Sequence, residues 1–73
     1  MKRIVLTYAD YEDADSSRVD EVKGIVAKHG GTVTGERASE EDNEATVFAR
    51  IPEANIEAFR AEAEEAGWEL EIR

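Results

Sequence analysis

Hydrophobic and polar residues alternate along three segments of the chain, which predicts β-strands at 3–8, 45–51 and 68–72. Successive side chains of a strand point to opposite faces, so each segment has one apolar face and one more polar face. The apolar sets are Ile4, Leu6 and Tyr8 in the first segment, Val47, Ala49 and Ile51 in the second, and Trp68, Leu70 and Ile72 in the third. We expect these three sets to point into the core.

A fourth strand is predicted at 32–37 from a weaker pattern. Val33 is its only large apolar residue, and Gly35 interrupts it. This composition is typical of a strand at the edge of a sheet. The polar segment 38–44 that follows predicts a turn into the next strand.

Apolar residues at helical spacing predict a first helix that begins near residues 16–17. Ser17 followed by Asp20 matches a capping pattern in which the two side chains satisfy unpaired backbone N–H groups. Its apolar residues are Val19, Val22, Ile25 and Val26. Gly24 costs about 1 kcal/mol relative to alanine, and we expect it to be tolerated through a close approach of this helix to the sheet. Glycines at 30–31 are expected to end the helix.

A second helix is predicted to begin at Pro52, whose missing N–H group is not needed at a helix start. Its apolar stripe consists of Ile56, Phe59, Ala63 and Ala66. Gly67 is expected to end it. The order of elements is therefore strand–helix–strand–strand–helix–strand.

This order predicts an α+β fold with the βαββαβ arrangement called ferredoxin-like. Two right-handed crossovers and one hairpin give a four-stranded antiparallel sheet of spatial order 4-1-3-2, with both helices on one face. The predicted core is Ile4, Leu6, Val19, Val22, Val26, Val47, Ile51, Ile56, Phe59, Trp68, Leu70 and Ile72. The opposite face of the sheet should carry Arg3, Val5, Thr7, Thr32, Thr34, Thr46, Phe48 and Arg50.

The chain has 73 residues, a length that fits one domain spanning 1–73 with a small stability margin. Its 18 acidic and 9 basic residues give a formal net charge of −9. That charge repels phosphate groups, so we expect no binding to nucleic acid or to anionic membranes. The apolar run within 1–6 is too short for a signal peptide or a membrane span, so we expect a soluble protein. A monomer is expected, with a homodimer through the edge strand or the open sheet face as the alternative.

No residue pattern predicts a catalytic, cofactor or metal site. The absence of Cys excludes disulfides, thiolate metal sites and thiol catalysis. His29 is the only histidine and lies in the last turn of the first helix, where a protonated imidazole complements the helix dipole. Ser16, Ser17 and Ser39 lack the context of a nucleophile. We therefore expect no enzyme activity, no cofactor and no small-molecule ligand.

Two acidic segments, 10–15 and 40–42, invite comparison with calcium sites. An EF-hand count from Asp10 puts Ala14 at position 5 and Asp15 where the loop requires glycine. The pattern fails, and solvated acidic loops are expected. Weak binding of divalent ions by these loops is left open.

The run Ala49-Arg50-Ile51-Pro52-Glu53-Ala54-Asn55-Ile56-Glu57-Ala58-Phe59 resembles the strand–Pro–helix segment of metallocarboxypeptidase activation domains. The similarity covers about the C-terminal half of the chain. It implies the ferredoxin-like fold and a domain that covers a protease active site. The first helix and the second strand do not follow that pattern, so inhibition of a protease is an alternative and not the leading interpretation.

Two other protein classes share this topology. RNA-recognition domains stack bases on aromatic residues of the two central strands, and here those strands offer only Phe48 on the open face, flanked by Arg3 and Arg50. Acylphosphatases hold an anion in a glycine loop with an arginine after the first strand, where this chain has the acidic segment 10–15. Both functions are disfavoured.

The leading interpretation is a stand-alone fold module without catalytic activity, computationally designed or redesigned. Helix exteriors rich in Glu and Ala, glycine helix ends and a starting Met directly before the first strand are typical of designed sequences. The alternative is a natural regulatory or protein-binding domain, such as a prosegment-like inhibitor.

Overall fold

The computed structural model describes residues 1–9, 16–39, 41 and 43–73. Its strands are β1 (Lys2–Tyr8), β2 (Thr32–Ser39), β3 (Glu44–Ile51) and β4 (Glu69–Ile72), and its helices are α1 (Ser16–Lys28) and α2 (Ile56–Glu65). A single 3-10 turn, Glu53–Asn55, lies between Pro52 and α2. The second helix was predicted to start at Pro52, and the α-helical part begins one turn later.

All four strands pair antiparallel in the order β2-β3-β1-β4, which confirms the predicted sheet order and the ferredoxin-like layout. The two central strands are the two whose alternation is most regular. The shorter β4 and the glycine-interrupted β2 lie at the edges, as predicted for β2. No helix in the described part of the chain is both long and apolar enough to cross a membrane.

The core lies between the sheet and the two helices, which both pack on the same face. It contains Ile4, Leu6, Val19, Val22, Val26, Ala45, Val47, Ala49, Ile51, Ile56, Phe59, Ala63 and Trp68. Ten of the predicted core residues are in this set, and Leu70 packs partly buried against it. The prediction was wrong for Ile72, which is 39% exposed. Ile72 lies opposite Ile4 near the end of an edge strand, where only one neighbouring strand shields it.

Glycines end both helices, as predicted. Gly30 has φ +77°, and the N–H of Gly31 donates to the carbonyl of Val26 at 2.9 Å. A Cβ on Gly31 would lie 2.6 Å from the carbonyl oxygen of Arg50, so the chain can pass the end of β3 only without a side chain there. Gly67 ends α2 with φ +92°.

The expectation for Gly24 was wrong. A Cβ built on Gly24 meets nothing within 4 Å, and the residue is exposed. Gly24 therefore lies on the solvent side of α1 and does not mark a close approach to the sheet. The predicted cap contact of Ser17 lies outside the described side chains.

The edge strand β2 contains a β-bulge that the sequence pattern did not reveal. Its register against β3 shifts between Val33 and Gly35, so the alternation reverses after the shift. Glu36 now lies opposite Val47 on the helix side, where it accepts a hydrogen bond from Lys23 of α1. Arg37 lies opposite Thr46 and so moves to the other face.

Candidate ligand-binding face of the sheet

The face of the sheet that carries no helix is called the open face here. The register of the strands arranges its residues in three rows that run across the sheet. The first row is Arg73, Arg3, Arg50 and Thr32; the second is Glu71, Val5, Phe48 and Gly35; the third is Glu69, Thr7, Thr46 and Arg37. Seven of the eight predicted members of this face are in these rows, and the eighth, Thr34, lies at the register shift in β2 and lines the groove described below. The rows also contain Gly35, Arg37, Glu69, Glu71 and Arg73, which were not predicted to lie there.

Three arginines form the first row. Arg3 and Arg50 are direct cross-strand partners in the β1–β3 pair. The backbone N–H of Arg73 donates to the carbonyl of Arg3 at 2.8 Å, which extends the β4–β1 pairing by one step and places Arg73 beside Arg3. Neighbouring strands lie about 4.8 Å apart, so the three side chains leave the backbone within about 10 Å of one another.

The positive charge of this row is only partly compensated. Arg73 lies 3.6 Å from Glu71, and both side chains are 64% exposed, so this ion pair is weak. Within the part of the chain that the structure describes, Arg3 and Arg50 have no ion pair. Two guanidinium groups in a molecule with a net charge of −9 are thus left available to an external anion.

An apolar floor lies directly beside the arginines. Val5 and Phe48 are cross-strand partners, and Phe48 is 39% exposed. Gly35 lies opposite Phe48 on the β2 side and offers no side chain to cover the ring. A Cβ there would be 3.6 Å from Phe48 Cδ2, an ordinary contact, so glycine is not sterically required at this position.

Together these residues shape an open groove of about 370 Å³. Its walls are Arg3, Ile4, Val5, Thr34, Gly35, Phe48, Ala49, Arg50 and Arg73. The bulge in β2 contributes Thr34 and Gly35 to one side of the groove, and the end of β4 contributes Arg73 to the other. The combination of guanidinium donors with an aromatic floor suits a ligand that has both an anionic and an apolar group.

The described residues that line the groove include two kinds of polar side chain, arginine and threonine. Thr34 is its only hydroxyl residue, and neither a carboxylate nor an imidazole lines it. The described residues also contain no group of three or more His, Asp or Glu side chains that could hold a metal ion. The lining side chains can form ion pairs, hydrogen bonds and apolar contacts with a ligand.

His29, the one histidine, lies away from this groove at the junction of the two helices. Its side chain is 14% exposed and packs edge-on against Phe59, with ring centroids 5.9 Å apart. His29 Nε2 lies 3.4 Å from Glu62 Oε1 of α2, and Asn55 Nδ2 donates to the His29 carbonyl at 2.8 Å. His29 lies one residue beyond the end of α1, and its contacts join α1 to α2. Its predicted role in complementing the dipole of α1 stays a prediction.

Lys28 donates a second hydrogen bond to Glu62 Oε1, at 2.8 Å. This bond, followed by the charge of Lys28 and the contact with His29, holds the pKa of Glu62 below its ordinary value of 4.5. The cluster of Lys28, His29 and Glu62 thus has a structural role at the helix junction.

The remaining predicted features fall on residues that are not described. The acidic segment 10–15 and residues 40 and 42 lie outside the described part of the chain, as do the side chains of Ser16, Ser17 and Ser39. Their interpretation as solvated loops, a helix cap and inert serines stays a prediction.

No protein-family model and no curated protein sequence matches this chain. The similarity of segment 49–59 to metallocarboxypeptidase activation domains and the designed origin therefore stay predictions.

Proposed function

We propose that the chain is a non-catalytic binding module that holds an anionic segment of a protein partner on its open face. The observation that carries this proposal is the convergence of Arg3, Arg50 and Arg73 on one groove beside the exposed ring of Phe48. Arginine presents a planar fork of donors that matches a carboxylate, and it is enriched at protein interfaces.

The cost of keeping these arginines together supports a binding role. Like charges that lie directly opposite one another in an antiparallel pair are destabilising. Arg3 and Arg50 are such a pair, and the described residues supply neither with a carboxylate. An anion bound between them relieves the repulsion, so affinity for such a ligand is built into the folded state.

The charge of the whole molecule favours a short protein segment over a nucleic acid. A polynucleotide brings a phosphate with every nucleotide, and most of those phosphates would meet an acidic surface. A single-stranded nucleic acid also needs aromatic residues on which successive bases stack, whereas the described residues of the groove include one aromatic side chain, Phe48. A peptide segment can instead place one or two carboxylates on the arginines and apolar contacts on the floor.

The competing proposal is the fold module without a ligand that the sequence favours. One exposed aromatic residue is ordinary for a folded protein and by itself needs no partner. This alternative does not explain why Arg3 and Arg50 lie opposite each other without an ion pair to any described residue.

The test is titration of the 15N-labelled protein with a short capped peptide that contains glutamate and phenylalanine. Amide shifts are expected to concentrate on β1 and β3 around Val5 and Phe48. An Arg3→Gln/Arg50→Gln variant is expected to bind about fivefold more weakly, in line with the loss of exposed ion pairs.

Arg37→Gln is the matched control. It removes the same charge from the same face, two rows of residues away from the groove arginines. If Arg37→Gln weakens peptide binding as much as the double variant does, the effect is due to net charge and not to the groove. If the peptide causes no amide shifts, the proposal is wrong. A single-stranded oligonucleotide at equal concentration serves as the second ligand. If it binds more tightly than the peptide, the proposed partner is a nucleic acid and not a protein.

A further inference from the structure

From the spacing of the rows we infer that the open face recognises an extended segment in which an acidic residue and a large apolar residue are two positions apart. This inference rests on the proposed function and specifies the sequence of the partner segment. It follows from the distance between the arginines and the apolar floor, and from where the remaining charges of the open face lie.

The first two rows are separated by two residues along each strand: Arg3 and Val5 in β1, and Arg50 and Phe48 in β3. At a rise of about 3.4 Å per residue, the rows are about 7 Å apart. An extended peptide has the same geometry, since its side chains at i and i+2 point to one side at the same spacing. A segment lying along β1 and β3 therefore places side chain i on the arginines when side chain i+2 lies on Phe48.

The charge of the second row favours a ligand with its acidic residue on the arginines and an uncharged residue at the second position. Glu71 and Glu69 are the β4 members of the second and third rows, and Arg37 is the β2 member of the third row. Both are exposed, and they repel a carboxylate placed beside Val5 or Thr7. A carboxylate at the second row therefore meets Glu71 without a nearby arginine on β1 or β3, and one at the third row meets both Glu69 and Arg37. An unbroken acidic run lying along the strands would gain mainly from its first residue.

The shape of the groove favours a large apolar residue at the second position. Gly35 leaves one edge of the Phe48 ring uncovered, and Val5 continues the apolar surface on the other side. An aromatic or branched side chain can lie against both residues and remove this surface from water. The chain direction of the ligand is free, because both orders of the two residues give the same spacing.

The experiment compares capped peptides of identical composition on a Gly/Ser background. They contain one glutamate and one phenylalanine at i,i+1, at i,i+2 or at i,i+3, and another peptide contains a run of glutamates with the same phenylalanine. Affinities are read from the amide shifts of Val5 and Phe48. The i,i+2 peptide is expected to bind roughly fivefold to tenfold more tightly than the i,i+1 peptide, whose two side chains point to opposite sides.

Two variants test which part of the groove contacts each of the two ligand residues. Phe48→Ala is expected to bring all spacings to the same affinity, and Arg3→Gln/Arg50→Gln is expected to reduce the advantage of glutamate over glutamine in the i,i+2 peptide. Equal affinity for every spacing, or tightest binding of the glutamate run, would overturn the inferred sequence pattern while leaving the binding face in place. Binding of none of the peptides would overturn both the pattern and the proposed function.

Discussion

Arg3 and Arg50 lie directly opposite each other in the two central strands, and within the described residues neither forms an ion pair. This arrangement predicts that stability and ligand binding oppose each other at this site. Arg50→Thr removes the repulsion and introduces a residue that strands favour. We expect it to raise the free energy of unfolding by about 0.2–1 kcal/mol, measured by urea denaturation at low ionic strength.

The salt dependence of the stability gain tests whether Arg50→Thr acts by removing charge repulsion. At about 1 M salt the Debye length falls to about 3 Å, so the advantage of the variant should shrink. Arg37→Thr is the control, since Arg37 faces Thr46 and has no arginine opposite it. A loss of stability in Arg50→Thr at every salt concentration would show that the two guanidinium groups do not repel each other in the folded protein.

Substitutions of the two phenylalanines are expected to have separate effects, one on peptide binding and the other on stability. Phe48 lies on the open face at 39% exposure, whereas Phe59 is fully buried in the core. Phe48→Ala should change the free energy of unfolding by no more than about 1 kcal/mol and abolish the aromatic contribution to peptide binding. Phe59→Leu should leave the groove intact and destabilise the fold by about 1–2 kcal/mol, as imperfect refilling of a core position does.

Thermal unfolding and the peptide titration, run on both phenylalanine variants, check this separation. Phe59→Leu is chosen because Phe59→Ala costs about 3–5 kcal/mol, which is close to the whole stability of a domain of this size. A large destabilisation by Phe48→Ala would mean that this ring supports the sheet more than its exposure indicates.

Alanine substitutions at Gly24 in α1 and at Gly31, just after α1, are expected to change the stability of the protein in opposite directions. Gly24→Ala should stabilise the protein by about 1 kcal/mol, because the new methyl group meets open space and alanine favours the helix. Gly31→Ala should destabilise it by about 1–3 kcal/mol, since its methyl group would be forced to 2.6 Å from the Arg50 carbonyl oxygen. Denaturant midpoints of the two variants give the comparison. Destabilisation by Gly24→Ala would show that the residue is needed for a contact outside the described part of the chain.

The sequence was sufficient to predict the fold because local patterns and long-range topology agree. Period-two alternation marks the central strands, glycine marks the end of each helix, and these signals lead to one sheet order. The error at Ile72 has a different origin. The alternation correctly places this side chain on the helix side, but its burial depends on what covers the end of an edge strand, which the pattern along β4 does not contain.

The groove was only partly predictable. Alternation alone placed Arg3, Phe48 and Arg50 on the open face. The bulge between Val33 and Gly35 reverses the alternation of β2 from Gly35 onward, so Glu36 and Arg37 exchange the faces that a regular strand would give them. Arg73 joins the row only through its backbone hydrogen bond to Arg3, which is a consequence of the β4–β1 register. A glycine inside a weak edge strand was the one available sign of the bulge.

Glu62 is expected to make stability depend on pH in the acidic range. The hydrogen bond from Lys28 and the contact with His29 keep the pKa of Glu62 below 4.5 in the folded protein. A carboxyl group with a lowered pKa in the folded state contributes stability above its unfolded pKa, and this contribution is lost as the pH falls through the folded pKa. Glu62→Gln should therefore be less stable than the parent protein at neutral pH, and the difference should disappear well below pH 4.5.

Urea denaturation at neutral and at acidic pH, followed by the fluorescence of the single tryptophan, Trp68, measures this difference. Glu64→Gln is the control, because Glu64 is an exposed residue of the same helix and its side chain makes no ion pair with the described residues. That variant should have the pH profile of the parent protein. A Glu62→Gln deficit that persists unchanged at acidic pH would show that the Glu62 side chain stabilises the helix junction through packing and not through its charge.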